Sequence, residues 1–163
     1  RSSGGDEFAR STSTRRPVLI KAYLDSSALL KRSLAEPESN TLMDDIEARL
    51  AEGYVLYTSA LGAIEVSRAM RARLDVDAPQ DVVDGVEDAL AGVTQIDISE
   101  PVIALARRLF PTSIRSLDAI HLASAVLVSA DVVIAYDKRL LTAAAELGFR
   151  TASPGSDKPD GLD

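Results

Sequence analysis

Residues Val18 to Lys31, VLIKAYLDSSALLK, decide how this chain is read. An apolar, β-branched run ends at Asp25 and helix-forming sequence follows, which predicts a buried strand, a turn and a helix. In an open parallel α/β sheet, ligands bind outside the carboxyl ends of the strands, so Asp25 stands where a site is usually built. The plainer reading is a helix cap, because Asp25, Ser26 and Ser27 are all good N-cap residues.

The same alternation continues outward. A helix opens at Pro37 or Glu38, runs to about Ala51 with Leu42, Ile46 and Leu50 on one face, and ends at Gly53. Tyr54 to Tyr57 reads as a strand, and Ser59 as the cap of a helix to about Leu74. An acidic turn to Pro79 precedes a helix from Gln80 to Ala91, then a strand over Thr94 to Ile98 and a helix from Glu100 to Leu109. A loop over Phe110 to Arg115 leads to a helix capped by Ser116 and running to Ser129. Val132 to Tyr136 is the next strand, Lys138 to Leu147 the last helix, and Phe149 to Ala152 a short edge strand. Strands separated by helices imply right-handed crossovers. The fold class is therefore α/β, a three-layer α/β/α sandwich around a mostly parallel sheet of four to five strands.

Residues 1–16 are rich in Ser, Gly, Thr and Arg and read as a flexible arm or an added leader, residues 17–152 as the folded domain, and residues 153–163 as a flexible tail. A chain of 163 residues fits one domain. The absence of cysteine excludes disulfides and thiolate metal sites and is compatible with a reducing compartment. No apolar run approaches the roughly 20 residues that span a bilayer. The expected setting is the cytoplasm. A net charge of −7 argues against broad electrostatic binding of nucleic acid, yet leaves room for a local acidic cleft filled by cations.

Three further acids stand out by position. Glu65 lies mid-helix in SALGAIEVSRAMR, sharing a face with Leu61, Gly62 and Ala69; the plain alternative is a solvated glutamate paired with Arg68 or Arg73. Asp118, in RSLDAIHLASA, lies in a first helical turn, where the macrodipole favours an anion. Asp137 follows VVIAY at a strand end, repeating the setting of Asp25. Each has a local explanation, but all four could meet at one edge of the sheet.

In order and spacing, YLDSSALLK around Asp25, IEVSRAMR around Glu65, RSLDAIHLASA around Asp118 and AYDKRL around Asp137 resemble the PIN-domain ribonucleases, most closely the VapC-type toxins of bacterial toxin–antitoxin pairs. The resemblance runs from about Leu19 to Ala152. It implies a PIN-like sandwich in which Asp25, Glu65, Asp118 and Asp137 hold Mg²⁺ or Mn²⁺ for hydrolysis of RNA, leaving 5′-phosphate and 3′-hydroxyl ends. It also implies a homodimer and a small antitoxin that covers the acidic cleft and inserts an Arg near the carboxylates. The helices Pro37 to Ala51 and Leu61 to Leu74 are candidate walls for an antitoxin groove. The chain departs from the family at Ala135, where members often carry Thr or Ser.

The residue types suit that chemistry. Carboxylates are hard oxygen ligands for Mg²⁺ and Mn²⁺, and such an ion both polarises a phosphoryl oxygen and activates a water, so no side-chain nucleophile is required. Arg68, Arg115, Lys138 and Arg139 flank the acids and are candidate RNA contacts, with solvated surface charge as the alternative. His121, the only histidine, is a candidate general base or a structural hydrogen-bonding group. An aromatic content of 4% offers no evident stacking platform. Two other readings stay open. One is a phosphotransferase of the haloacid-dehalogenase type, weakened by Ser27 where D-x-D requires an acid; the other is a non-catalytic partner- or RNA-binding module.

Overall fold

The computed structural model describes residues 19–73, 79–110 and 114–156. The expected leader, the acidic turn before Pro79 and the tail beyond Ser156 lie outside those residues. The elements alternate: β1 (Ile20–Leu24), α1 (Ser26–Ser33), α2 (Ser39–Ala51), β2 (Tyr54–Ser59), α3 (Ala60–Arg73), α4 (Pro79–Leu90), β3 (Val93–Ile96), α5 (Glu100–Ala106), α6 (Ser116–Leu127), β4 (Val132–Ile134), α7 (Lys138–Glu146) and β5 (Arg150–Ala152).

The five strands lie in the order β3-β2-β1-β4-β5. Every pairing is parallel, so the sheet is wholly rather than mostly parallel. Its pleat sorts the apolar residues between two layers. Ala22, Leu24, Leu56, Val132 and Ile134 pack with Leu29, Leu42, Ile46, Val66 and Met70, under α1 to α4. Tyr23, Val133 and Ala135 point the other way, onto Leu122 and Ala125 of α6 and Leu140, Ala143 and Ala144 of α7. A two-residue period thus builds two cores from one strand, and helices on both faces follow because neither face can be left to water.

The chain runs from β1 outward to β2 and β3, then returns to lay β4 and β5 on the other side. The direction of winding reverses between β1 and β4, where a crevice opens at the carboxyl ends of the strands. Asp25 and Asp137 follow those two strands. The Asp25 amide donates to Ile134 O at 3.1 Å and fixes the two strand ends together.

Several local expectations are corrected. Arg115, in extended conformation, is the N-cap of α6, while Ser116 is already helical; no side chain caps this end. Strand β4 ends at Ile134, two residues before the expected end; the Ala135 amide still donates to Ala152 O at 3.1 Å, and the chain leaves the sheet at Tyr136, whose amide donates to Ser27 Oγ. The helices expected to wall a common groove are separated, since α1 packs against both α2 and α3. An apolar cleft of ≈ 540 Å³ opens instead between α3 and α4, lined by Ser67, Arg71, Val82, Val83 and Val86. At the start of the expected tail, Ser153 Oγ donates to Ala135 O and Pro154 O accepts from the Tyr136 hydroxyl. No helix among the described residues is long and apolar enough to cross a membrane.

Candidate active site

Asp25, Glu65, Asp118 and Asp137 line one cavity of ≈ 340 Å³ in the crevice, together with Ser27 and Arg115. Four different elements deliver them. Asp25 is the N-cap of α1 at the end of β1; its Oδ2 accepts from Ser27 N at 3.2 Å and Ser27 Oγ at 2.8 Å. Only 5% of Asp25 is exposed. Asp137, N-cap of α7, is exposed, and its Oδ1 accepts from the Arg139 and Leu140 amides at 2.8 and 3.2 Å. Both strand-end aspartates therefore cap helices and face the cavity at once, so the two readings of Asp25 do not compete.

Glu65 reaches the cavity from the middle of α3 because Gly62 lets that helix approach the end of β2, α1 and α6. A Cβ at Gly62 would lie 2.7 Å from Thr58 Oγ1, 3.1 Å from Leu29 Cδ1 and 3.7 Å from His121 Cε1. The partner of Glu65 is neither Arg68 nor Arg73. His121 Nε2 lies 2.7 Å from Glu65 Oε2 and 3.5 Å from Asp25 Oδ1, while Arg73 pairs with Glu36. On its other side, His121 Nδ1 is 2.8 Å from the Tyr23 hydroxyl, which accepts from Ser59 N at 3.0 Å. A neutral imidazole whose Nδ1 accepts from Tyr23 carries its proton on Nε2, aimed at Glu65. His121 is buried and acts as a bridge between the second core and the acids.

The electrostatics follow from this arrangement. Burial acts to raise the Glu65 carboxyl, but the hydrogen bond and charge of His121 outweigh it and hold Glu65 below the usual range. Burial opposes the charged form of His121, while Glu65, then Asp25 and Asp118, draw it above its ordinary value. Asp118 is pushed up, first by burial and then by the charges of Asp137 and Asp25, with Arg115 partly offsetting them. Its Oδ2 is buried and has no hydrogen-bond partner among the described residues, a costly state for a carboxylate oxygen.

This donor set suits a divalent cation. Carboxylate oxygens of Asp25 and Glu65 lie within 4.8 Å of each other and of the supporting His121, and among the described residues Asp118 contributes an unpartnered oxygen in the same cavity. Of the basic residues, Arg115 lines the cavity and Lys138 and Arg139 occupy the exposed first turn of α7 beside Asp137. Arg68 is exposed on α3 and is not among the lining residues. Sequence reading gave Ser27 only a capping role; its hydroxyl donates to Asp25 and accepts from Tyr136, a link that a Ser two positions after a strand-end Asp hints at but cannot locate.

The PIN-domain family matches residues 22–146. Ribonuclease VapC47 of Mycobacterium tuberculosis (strain CDC 1551 / Oshkosh) is 38% identical over 136 residues, which cover 82% of this chain and 97% of the relative. Ribonuclease VapC46 of M. tuberculosis (strain ATCC 25618 / H37Rv) is 35% identical over 134 residues, covering 81% and 96%. Among solved structures, VapBC2 from Rickettsia felis, bound to a DNA fragment from its promoter, aligns with a TM-score of 0.63 at 11% identity over 82% of this chain and 98% of that one. M. tuberculosis VapC20, a toxin that cleaves the sarcin–ricin loop, aligns with a TM-score of 0.60 at 16% identity over 82% and 99%. At those identities the structures speak to the fold alone. The protein belongs to the PIN-domain family. Within that family its sequence relatives place it in the VapC-type branch.

Proposed function

We propose that the protein is an endoribonuclease toxin whose activity depends on Mg²⁺ or Mn²⁺ held by Asp25, Glu65 and Asp118, with Asp137 at the rim. Its VapC relatives are ribonucleases, and hydrolysis of RNA phosphodiester bonds is the reaction this chain shares with them. The observation that carries the metal reading is the buried, unpartnered Oδ2 of Asp118 in a cavity already lined by three other carboxylates. When bound, the cation polarises the scissile phosphoryl oxygen and lowers the pKa of a water.

The protein's own residues set the stage for that chemistry. Ser27 fixes the Asp25 carboxylate, and His121, anchored through Tyr23, fixes Glu65. Such supporting partners keep ligands oriented while the site changes its load. Arg115 offers a guanidinium for a non-bridging phosphate oxygen, and Lys138 and Arg139 extend positive charge along the rim. Ala135 carries no hydrogen-bonding side chain, and Asp137 is held instead by the first amides of α7.

The partners proposed are a small antitoxin protein and a second copy of the chain. The antitoxin's apolar segment suits the α3/α4 cleft rather than the α2/α3 groove expected from sequence. The test is incubation of the purified protein with a broad RNA panel, with Mg²⁺, with Mn²⁺ and with EDTA. Cleavage with either metal, absent in EDTA and absent in Asp118→Asn, is the expected result. A panel left intact by well-folded protein under all three conditions overturns the catalytic reading. Light scattering at micromolar concentration checks the dimer.

A further inference from the structure

A second cavity, of ≈ 330 Å³, adjoins the acidic one and shares Ser27, Leu30 and Asp137 with it. Its far side is formed by Lys31, Glu36, Arg73 and Tyr136. These groups are held in place. Lys31 Nζ donates to Glu36 Oε2 at 2.7 Å and Glu38 Oε2 at 2.6 Å, and lies 4.7 Å from the centroid of the Tyr136 ring. The Tyr136 hydroxyl donates to Pro154 O at 2.7 Å, and Arg73 Nη1 donates to Glu36 Oε1. Burial, then the charges of Glu38 and Asp45, push the Tyr136 phenol up to about 12, so it stays a neutral donor.

We infer that this second cavity is a nucleobase subsite of the cleft, reading a guanine next to the phosphodiester held by the acids. The inference rests on the ribonuclease reading above for its RNA, and on this cavity alone for its base. A phosphate does not suit the pocket, because Glu36 and Asp137 oppose an anion and Lys31 is already spent on two carboxylates. A neutral heteroaromatic ring with both donor and acceptor edges does. The Tyr136 ring, with a cation on one side, offers a stacking surface. Among the described residues Arg73 uses one donor, on Glu36, and arginine pairs bidentately with guanine O6 and N7. Each Glu36 oxygen, bonded once, keeps a lone pair for donors such as guanine N1–H and N2–H₂. Guanine presents two adjacent acceptors for a guanidinium and two adjacent donors for a carboxylate. Single-stranded RNA is read on such edges.

The experiment uses dye-labelled pentanucleotides UUXUU, with X each of the four bases. Binding to the full chain is followed by fluorescence anisotropy with Ca²⁺ in place of Mg²⁺, and gels verify that the RNA stays intact. The parent is expected to bind the G oligonucleotide about tenfold more tightly than the other three, the scale of one good bidentate base contact. Arg73→Ala, whose parent side chain is 51% exposed, should fold normally by circular dichroism and abolish the preference while UUUUU affinity stays within about twofold. Tyr136→Phe keeps the preference, and Glu36→Gln weakens it. Equal affinity for all four bases in the parent, a preference that survives Arg73→Ala, or no binding at all each overturns the subsite; base-blind binding leaves the pocket to a peptide. Cleavage of the same RNAs with Mg²⁺ separates the two readings. RNA cut without regard to X sinks the subsite and keeps the nuclease, whereas G-selective binding without any cut keeps the subsite and sinks the nuclease.

Discussion

Asp25 and Asp137 occupy matching positions in sequence and fold, each ending a central strand and capping the next helix, yet their surroundings differ. Asp25 is 5% exposed, lines the cavity beside Glu65, lies 3.5 Å from His121 Nε2, and receives a hydroxyl as well as an amide. Asp137 is exposed and receives two backbone amides from its own helix. The local motif makes a cap in both places. What turns one cap into the centre of a site is the helix laid over it, for α3 brings Glu65 and α6 brings His121 to the β1 end.

The largest expected contrast is in activity. Asp25→Asn should lower RNA cleavage by more than the 10–100-fold typical of residues that only support a ligand, while Asp137→Asn should stay within that range. Equal losses in a single-turnover assay would erase the distinction drawn between them. Ser27→Ala tests the bond that only Asp25 receives. It should reduce cleavage by about 10–100-fold and weaken the midpoint for Mn²⁺ activation, with Ser27→Thr restoring part of both.

The approach of α3 is tested by Gly62→Ala. The added methyl meets Thr58 Oγ1 at 2.7 Å, where that hydroxyl is buried and donates to Leu24 O, so a loss of about 1–3 kcal/mol in urea unfolding is expected. A variant as stable as the parent would show that the helix can slide away without cost. The smallest effect is on capping. Asp137→Ala should cost about 1 kcal/mol in EDTA. Asp25→Ala should cost less or even stabilise, because the lost cap is offset by removing a charge from beside Glu65 and Asp118. Thermal melts in EDTA and in Mg²⁺ decide this, since only the parent and Asp137→Ala should keep a strong stabilisation by metal.

Much of this was legible in the sequence because it is written in local patterns. The alternation of apolar strands and amphipathic helices, the stop at Gly53 with its positive φ of 90°, and the acids at strand ends each depend on a few neighbouring residues. The site's supports were not legible for the opposite reason. Tyr23 and His121 lie 98 residues apart, and His121 and Glu65 lie 56 apart, so no spacing rule connects them. The expected groove failed in the same way: apolar stripes on α2 and α3 were visible, but the position of α1 between them was not. The run VVIAY reads as strand to its end, and only the long-range bond from Tyr136 to Ser27 reveals where the sheet is left.

That bond, between residues 109 positions apart, also sets an order of events during synthesis. A ribosome delivers β1, Asp25 and Ser27 first, and their counterparts at the end of β4 follow only 109 residues later. A nascent chain therefore carries half a crevice, with its first aspartate unsupported on the β4 side. Pairings this distant close late and slowly. The crevice, and any cut in RNA made there, is therefore complete only once β4 has been laid beside β1.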